Sequence, residues 1–438
     1  MKPSSIVLLL VAVATPLTAA TSGTALTREI SLARELVEDT AIRYDDEGLR
    51  LGRERAERLA AAAEAAGDAT AARDAHYLVM LASYAQMFTG NNDPATLRRL
   101  ALEAVRHADR AAALDPTFGE AFTMAGAARF LAFLHAGRSR EMIQASGEWH
   151  AKGQTIDPES TPARFFGALA KSMDPAGPAR AEGVQAYGDL ARRLDARRAA
   201  GDPVRPGFWD VEAHAWDAIV RLQQAQPNAA ALRADLGKFL ALRPDSAQVR
   251  ELLRRVEHRS WVPASAVAGL AWKPLGNDPA GDGSTAGAPE LRALELARGG
   301  DRVWFRLTYE AELPSSFGAN LAIDRDGDPG GDPKWWGGGS SFRYDRLVTA
   351  WVVREGDGYF GIAAVTDAPG ASAQRMMQLG TDVLLRVGDD EKTLMVGVPA
   401  SVLGLAAGAK VLAAGGTNLL WNDNLTADGG DGIVIPAQ

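Results

Sequence analysis

Asp324, Asp326, Asp328 and Asp332 fall within nine residues and are followed by Trp335, Trp336 and the run Gly337-Gly338-Gly339. Carboxylates at that density repel one another unless a cation or hydrogen-bond donors sit among them. The first three have the x, x+2, x+4 spacing of calcium loops, in which alternate side chains turn toward one ion, and Asp332 takes the ninth position. Pro329 stands where such a loop has glycine, and Trp335 stands where it has its closing glutamate. Two readings remain open: a hard-cation site, with calcium as the expected ion, or an Asp-rich turn whose side chains accept from backbone amides. The tryptophan pair beside a glycine run predicts exposed indole faces, suited to stacking on a sugar ring or anchoring a protein partner. The alternative is that both indoles fold back onto a sheet edge.

Other polar clusters carry less. Asn422-Asp423-Asn424 and Asp428-Gly429-Gly430-Asp431 read as solvated turns. The six histidines, His76, His107, His135, His150, His214 and His258, show no helical metal-pair spacing, and each is expected at the surface or in packing. Glu103 four residues before His107, and Asp210 four before His214, predict local ion pairs. A haem is not expected, because the sequence after residue 258 has no histidine to ligate it. The chain has no nucleophile elbow, no His-Glu-x-x-His and no phosphate loop, so no catalytic residue is assigned and a non-enzymatic protein is the expectation.

These residues must be positioned by a chain of 438 residues, long enough for two or three domains. The formal charge of −8 is concentrated near the C-terminus: residues 259–438 hold 15 Lys and Arg against 22 Asp and Glu. That balance argues against nucleic acid or anionic lipid as a partner of this part. The absence of cysteine excludes disulfides, thiolate metal sites and cysteine nucleophiles. Lys2, the apolar run Ile6–Ala14, Pro16 and the small residues Thr18-Ala19-Ala20 read as a signal peptide over 1–20, which predicts a periplasmic or secreted protein.

From 21 to 258 the apolar spacing is helical, for example from Pro94 to Leu114. Pro116, Pro158, Pro203 and Pro244 recur at separations of 42, 45 and 41 residues. Each predicts a helix stop followed by a new start, which is the signature of stacked helical hairpins. After a linker and first strand at 259–285, apolar residues alternate. Leu291–Leu296 with Val303–Tyr309, Leu347–Val353 with Tyr359–Val365, and Val383–Val387 with Thr393–Val398 read as three β-hairpins within an antiparallel sandwich over 286–438.

The stretch from Ala104 to Pro116, continued through Phe118–Ala127 with small residues at Ala121 and Gly126, resembles tetratricopeptide repeats of lengthened period. That resemblance implies an α-solenoid that docks a protein partner. Asn277–Asp282, Glu290–Leu296, the Gly-Gly turn into Val303–Leu307, the Asp324–Asp328 cluster, Phe342–Asp345 and Met395–Leu403 together resemble the family 9 carbohydrate-binding and DOMON-like domains. The resemblance implies a β-sandwich module binding a carbohydrate or envelope component, with Trp335, Trp336, Tyr344 and Asp345 as expected ligand contacts. The expected whole is an exported adaptor. The alternatives are a pure assembly factor of the cell envelope, or an enzyme of unrecognised type acting on envelope polymers.

Overall fold

The structure is a computed structural model and describes residues 23–436, apart from 90–93, 138, 173–177, 202–204, 223–227, 258–260, 280, 282, 284–288, 329, 331, 333–334, 336–340, 356–357, 368–382, 417–422 and 426–431. The expected signal segment, His258, Trp336, Asp428 and Asp431 lie outside the described residues. An N-terminal helical region is followed by C-terminal antiparallel sheets.

The helical region comprises α1 (Gly23–Arg43), α2 (Asp46–Ala66), α3 (Ala69–Thr89), α4 (Pro94–Leu114), α5 (Gly119–Ala136), α6 (Arg140–Ile156), α7 (Thr161–Ser172), α8 (Pro178–Ala199), α9 (Phe208–Leu222), α10 (Ala229–Leu242) and α11 (Ala247–Glu257). Their ends follow local chemistry. Asp45 caps α2 by accepting from Gly48 N at 2.9 Å, and Gly67 closes it in the left-handed conformation at φ 71°. Pro94 and Pro178 open α4 and α8, where a missing N–H costs nothing. Pro116, Pro158, Pro203 and Pro244 each fall between two helices.

Consecutive helices pack as hairpins, and the odd-numbered helices also meet one another, with α1 in contact with α9. Where they converge, Tyr84, Phe165, Phe166, Tyr187, Trp209 and Trp216 interlock, with ring centroids 5.6 Å apart for Phe165–Trp209 and 5.7 Å for Phe166–Trp209. Beside this aromatic cluster lies a cleft of about 180 Å³ lined by Arg34, Glu38, Glu120 and Trp209.

The strands are β1 (Lys273–Asn277), β2 (Leu291–Gly299), β3 (Arg302–Tyr309), β4 (Ser316–Asp324), β5 (Arg346–Glu355), β6 (Gly358–Asp367), β7 (Leu384–Val387), β8 (Thr393–Pro399), β9 (Lys410–Gly416), β10 (Asp423–Asn424) and β11 (Ile433–Val434), with a one-turn helix, α12 (Ala400–Leu403), after β8. One sheet runs β1-β2-β3-β8-β7. The other runs β10-β9-β4-β5-β6, with β11 also on β9. The three hairpins expected from the alternation are β2–β3, β5–β6 and β7–β8.

The two sheets share one apolar core, to which Leu294, Phe305 and Val396 contribute from the first, and Leu321, Val348 and Val411 from the second. β4 sits between β5 and β9 and is buried along its whole length, so Asp324 at its end is carried to the rim of that core. The segment between the helices and β1 is laid against the first sheet. Trp261 bridges to Leu385 and stacks on Tyr359, while Val267 packs with Trp304 and Met395.

β5 uses both of its faces, as period-two geometry allows. Val348, Ala350 and Val352 enter the core between the sheets, while Trp351 and Val353 join the apolar cluster of the helical region. No described helix is long and apolar enough to cross a membrane.

Candidate functional site

The long β4–β5 connection carries the aspartate cluster. Asp324 is its first member, only 2% exposed, and its Oδ1 accepts from Gly327 N at 2.7 Å. Asp326 Oδ1 accepts from Asp328 N at 2.9 Å, and Asp328 Oδ1 accepts from Gly330 N at 2.9 Å. The Asp-rich-turn reading thus describes how each of the three uses one oxygen. Among the described residues these turn bonds use one oxygen of each. Gly327 holds the turn at φ 76°, and a Cβ there would lie 2.9 Å from the Gly408 carbonyl, so glycine is required twice over. The loop is pinned to the α12–β9 connection by Ala406 N donating to the Arg325 carbonyl at 2.7 Å.

Asp345 closes the loop. Its backbone N donates to the Ile323 carbonyl at 3.0 Å, and its side chain accepts from Arg325 N at 3.2 Å and Arg325 Nε at 2.8 Å. Asp332 is half-buried, and among the described residues no donor reaches its Oδ2. Burial pushes its carboxyl up to about 6, reinforced by the charges of Asp345, Asp324, Asp326 and Asp328. Burial raises Asp324 as well, against the Gly327 amide that lowers it. The charges of four other carboxylates of this loop thus act on Asp332, a repulsion that a hard cation relieves, although no three of their oxygens lie within 4.8 Å of one another.

The aromatic expectation fails at two positions. Trp335 is 2% exposed and Tyr344 is 1% exposed. Their rings meet edge to face with centroids 5.7 Å apart, in a cluster with Phe342, Leu347 and Leu412. Trp335 N donates to the Phe342 carbonyl at 2.6 Å, which clamps the loop shut across its base. Neither ring offers a free face to a sugar. Glycine neighbours favour exposure, but a loop that folds three large side chains, Trp335, Phe342 and Tyr344, inward gains roughly 4.5–9 kcal/mol of apolar burial, at roughly 1.5–3 kcal/mol each. Asp345 stays at the loop surface, half-buried.

The described histidines lie in packing or near the surface, as expected, but two of them take partners that helical spacing does not name. His76 on α3 and His107 on α4 are both buried and face each other, Nδ1 to Nδ1, at 2.9 Å. His76 Nε2 lies 3.2 Å from Glu64 on α2, and His107 Nε2 lies 3.0 Å from Nη2 of Arg106. Burial pushes His107 down to about 4, helped by His76 and Arg106, and burial lowers His76 too, so both rings are neutral at pH 7. The acid hydrogen-bonded to this pair is Glu64, not the Glu103 that helical spacing suggested. Likewise His214 Nε2 meets Asp195 of α8 at 3.3 Å, while its Nδ1 bonds the Asp210 carbonyl. The two buried rings are 31 residues apart, a separation that carries no periodic signal. Only the α3–α4 hairpin brings them together.

No protein-family model matches this chain, and no curated protein is significantly similar to it.

Proposed function

We propose that this protein is an exported, non-catalytic binding protein in which a tetratricopeptide-like α-solenoid serves as scaffold for a family 9 carbohydrate-binding or DOMON-like β-sandwich. In this reading the β4–β5 loop is the ligand-binding end of the sandwich, a hard cation such as calcium orders it, and the cation presents the loop to a carbohydrate or another envelope component. The observation that carries the proposal is the run of Asp324, Asp326 and Asp328 in one turn, with Asp332 pushed up to about 6 by burial and by the charges of these three and Asp345; no three of their oxygens yet lie within 4.8 Å of one another, so the ion would have to draw the loop together. Oxygen-only donors at this density suit calcium over transition metals.

The test is calcium titration of metal-free protein, followed by calorimetry and by thermal melting. A saturable heat together with a higher melting temperature supports the cation. Neither signal up to about 1 mM calcium, the upper range for extracellular modules, rejects it. A glycan array run in calcium and in chelator then asks whether the ordered loop binds sugar.

A second reading, an assembly factor that contacts only proteins, gains from two observations. The burial of Trp335 takes one of the two expected stacking rings away. Phe130, Leu134 and Ile143 expose apolar surface on α5 and at the start of α6. In this reading a partner would meet the apolar surface these residues expose. An array without any calcium-dependent glycan favours this reading over the first.

A further inference from the structure

A second polar site lies far from the aspartate loop, in a cleft of about 730 Å³ over α2 and α4. Its walls include Glu57 and Glu64 from α2, His76 from α3, and Arg106, His107 and Arg110 from α4. At its inner edge, Glu57 of α2 brings a carboxylate oxygen within 4.8 Å of one of Glu103 of α4. Glu103 in turn is held by Arg53 Nη1, 2.7 Å from both of its oxygens, in an ion pair nearly withdrawn from solvent. One carboxylate oxygen each from Glu57 and Glu103 and one ring nitrogen of His107 lie within 4.8 Å of one another.

We propose that Glu57, Glu103 and His107 bind one divalent transition-metal ion of the zinc type, with His76 and Glu64 as the positioning pair behind His107. Ligand atoms about 2.0–2.2 Å from one ion are at most about 4.4 Å apart, so small side-chain rotations close the set. Two carboxyl groups this close repel unless a proton or a cation lies between them, and the ion takes that place. The nitrogen donor and the small donor number favour a borderline metal over calcium, which asks for six to eight oxygens.

The hydrogen bonds around His107 settle its tautomer. Arg106 can only donate, so His107 Nε2 must accept from it and carries the lone pair. His107 Nδ1 then bears the proton and donates to His76 Nδ1, and His76 Nε2–H donates to Glu64. Every contact in the chain is matched in this direction, and the reverse direction would set two donors against each other at Arg106. A metal-binding imidazole backed by a second hydrogen-bonding group and a carboxylate is fixed in orientation and made more basic. Arg106 is exposed and competes with the ion for the same lone pair. Three protein ligands leave at least one coordination position facing the cleft, where Arg106 lies within reach of an anionic co-ligand, while Arg110 is paired with Glu64 at 2.7 Å.

The experiment uses untagged full-length protein, stripped with chelator and kept in about 1 mM calcium so that the aspartate loop is satisfied separately. Cobalt(II) is titrated with visible absorption as the readout, and zinc by calorimetry. One equivalent should bind. His107→Asn should weaken binding by on the order of a hundredfold, and His76→Phe by about ten- to a hundredfold. Arg106→Ala should bind severalfold more tightly, a gain that no folding defect mimics. Asp326→Asn should bind as the wild type does. Absence of cobalt and zinc binding in the wild type overturns the proposal, as does binding that survives in His107→Asn. Loss of binding in Asp326→Asn would place the ion in the aspartate loop and overturn it too. None of these outcomes depends on whether calcium binds the loop.

Discussion

Asp332 shows how one residue's surroundings set its chemistry. Its carboxyl is pushed up to about 6, against about 4 for a free aspartate. A carboxyl whose pKa is higher in the folded chain holds its proton more tightly there. Its contribution to stability is therefore greatest below about pH 4 and falls as pH rises through about 6. In metal-free buffer, Asp332→Asn should melt above the wild type at pH 7.5 and level with it at pH 4, followed by circular dichroism. A gap of the same size at both pH values would mean that charge is not the cause. Trp335 makes the complementary point. Its neighbours in sequence are glycines and a second tryptophan, which signal mobility and exposure, yet its neighbours in space are Tyr344, Phe342 and Leu412. Nothing local in the chain encodes that cluster.

At the scale of elements, the helices were legible because their stops are written locally. Four prolines spaced about one hairpin apart fall between α4 and α5, α6 and α7, α8 and α9, and α10 and α11. How closely two helices approach is also partly written, in glycines. A Cβ on Gly126 would lie 2.9 Å from the Ser146 carbonyl, and one on Gly153 would lie 2.6 Å from Thr123 N and 2.9 Å from the Gly119 carbonyl. These contacts make α5 and α6 a tightly fitted pair. In an open helix, Gly→Ala stabilises by up to about 1 kcal/mol. Gly153→Ala should reverse that sign and cost about 1–3 kcal/mol through overpacking. Gly147→Ala, in the same helix with open space around it, should keep the ordinary gain. Chemical denaturation of both variants checks this. Matching gains in both would show that the helices can separate without cost.

For the whole molecule, the two regions are coupled through β5. Its alternation sends Val352 into the core between the sheets and Val353 into the helical cluster, both fully buried. Val353→Asp would place a charge in that junction, where desolvation makes it costly. Calorimetry should resolve one unfolding transition for the wild type and two for the variant, as the helical region and the sheets lose their shared surface. A single transition, merely shifted down, would mean that the coupling lies elsewhere, for example in the packing of Trp261 against Tyr359 and Leu385.

The amino-acid sequence alone determined the succession of helices and then strands, the three hairpins, and the presence of an aspartate-dense turn. Those features rest on periodicity, proline, glycine and short-range spacing, and all of these act over a few residues. The tertiary structure decided which side chains face one another. It buried Trp335 and Tyr344, gathered the aromatic residues of α3, α7, α8 and α9 into one cluster, and set His107 against His76 and beside Glu57 and Glu103. Contacts between residues tens of positions apart leave no periodic trace in a single chain, because their partners are chosen by the packing of whole elements. That is why the aspartate loop was visible in the sequence and the histidine–glutamate cleft was not.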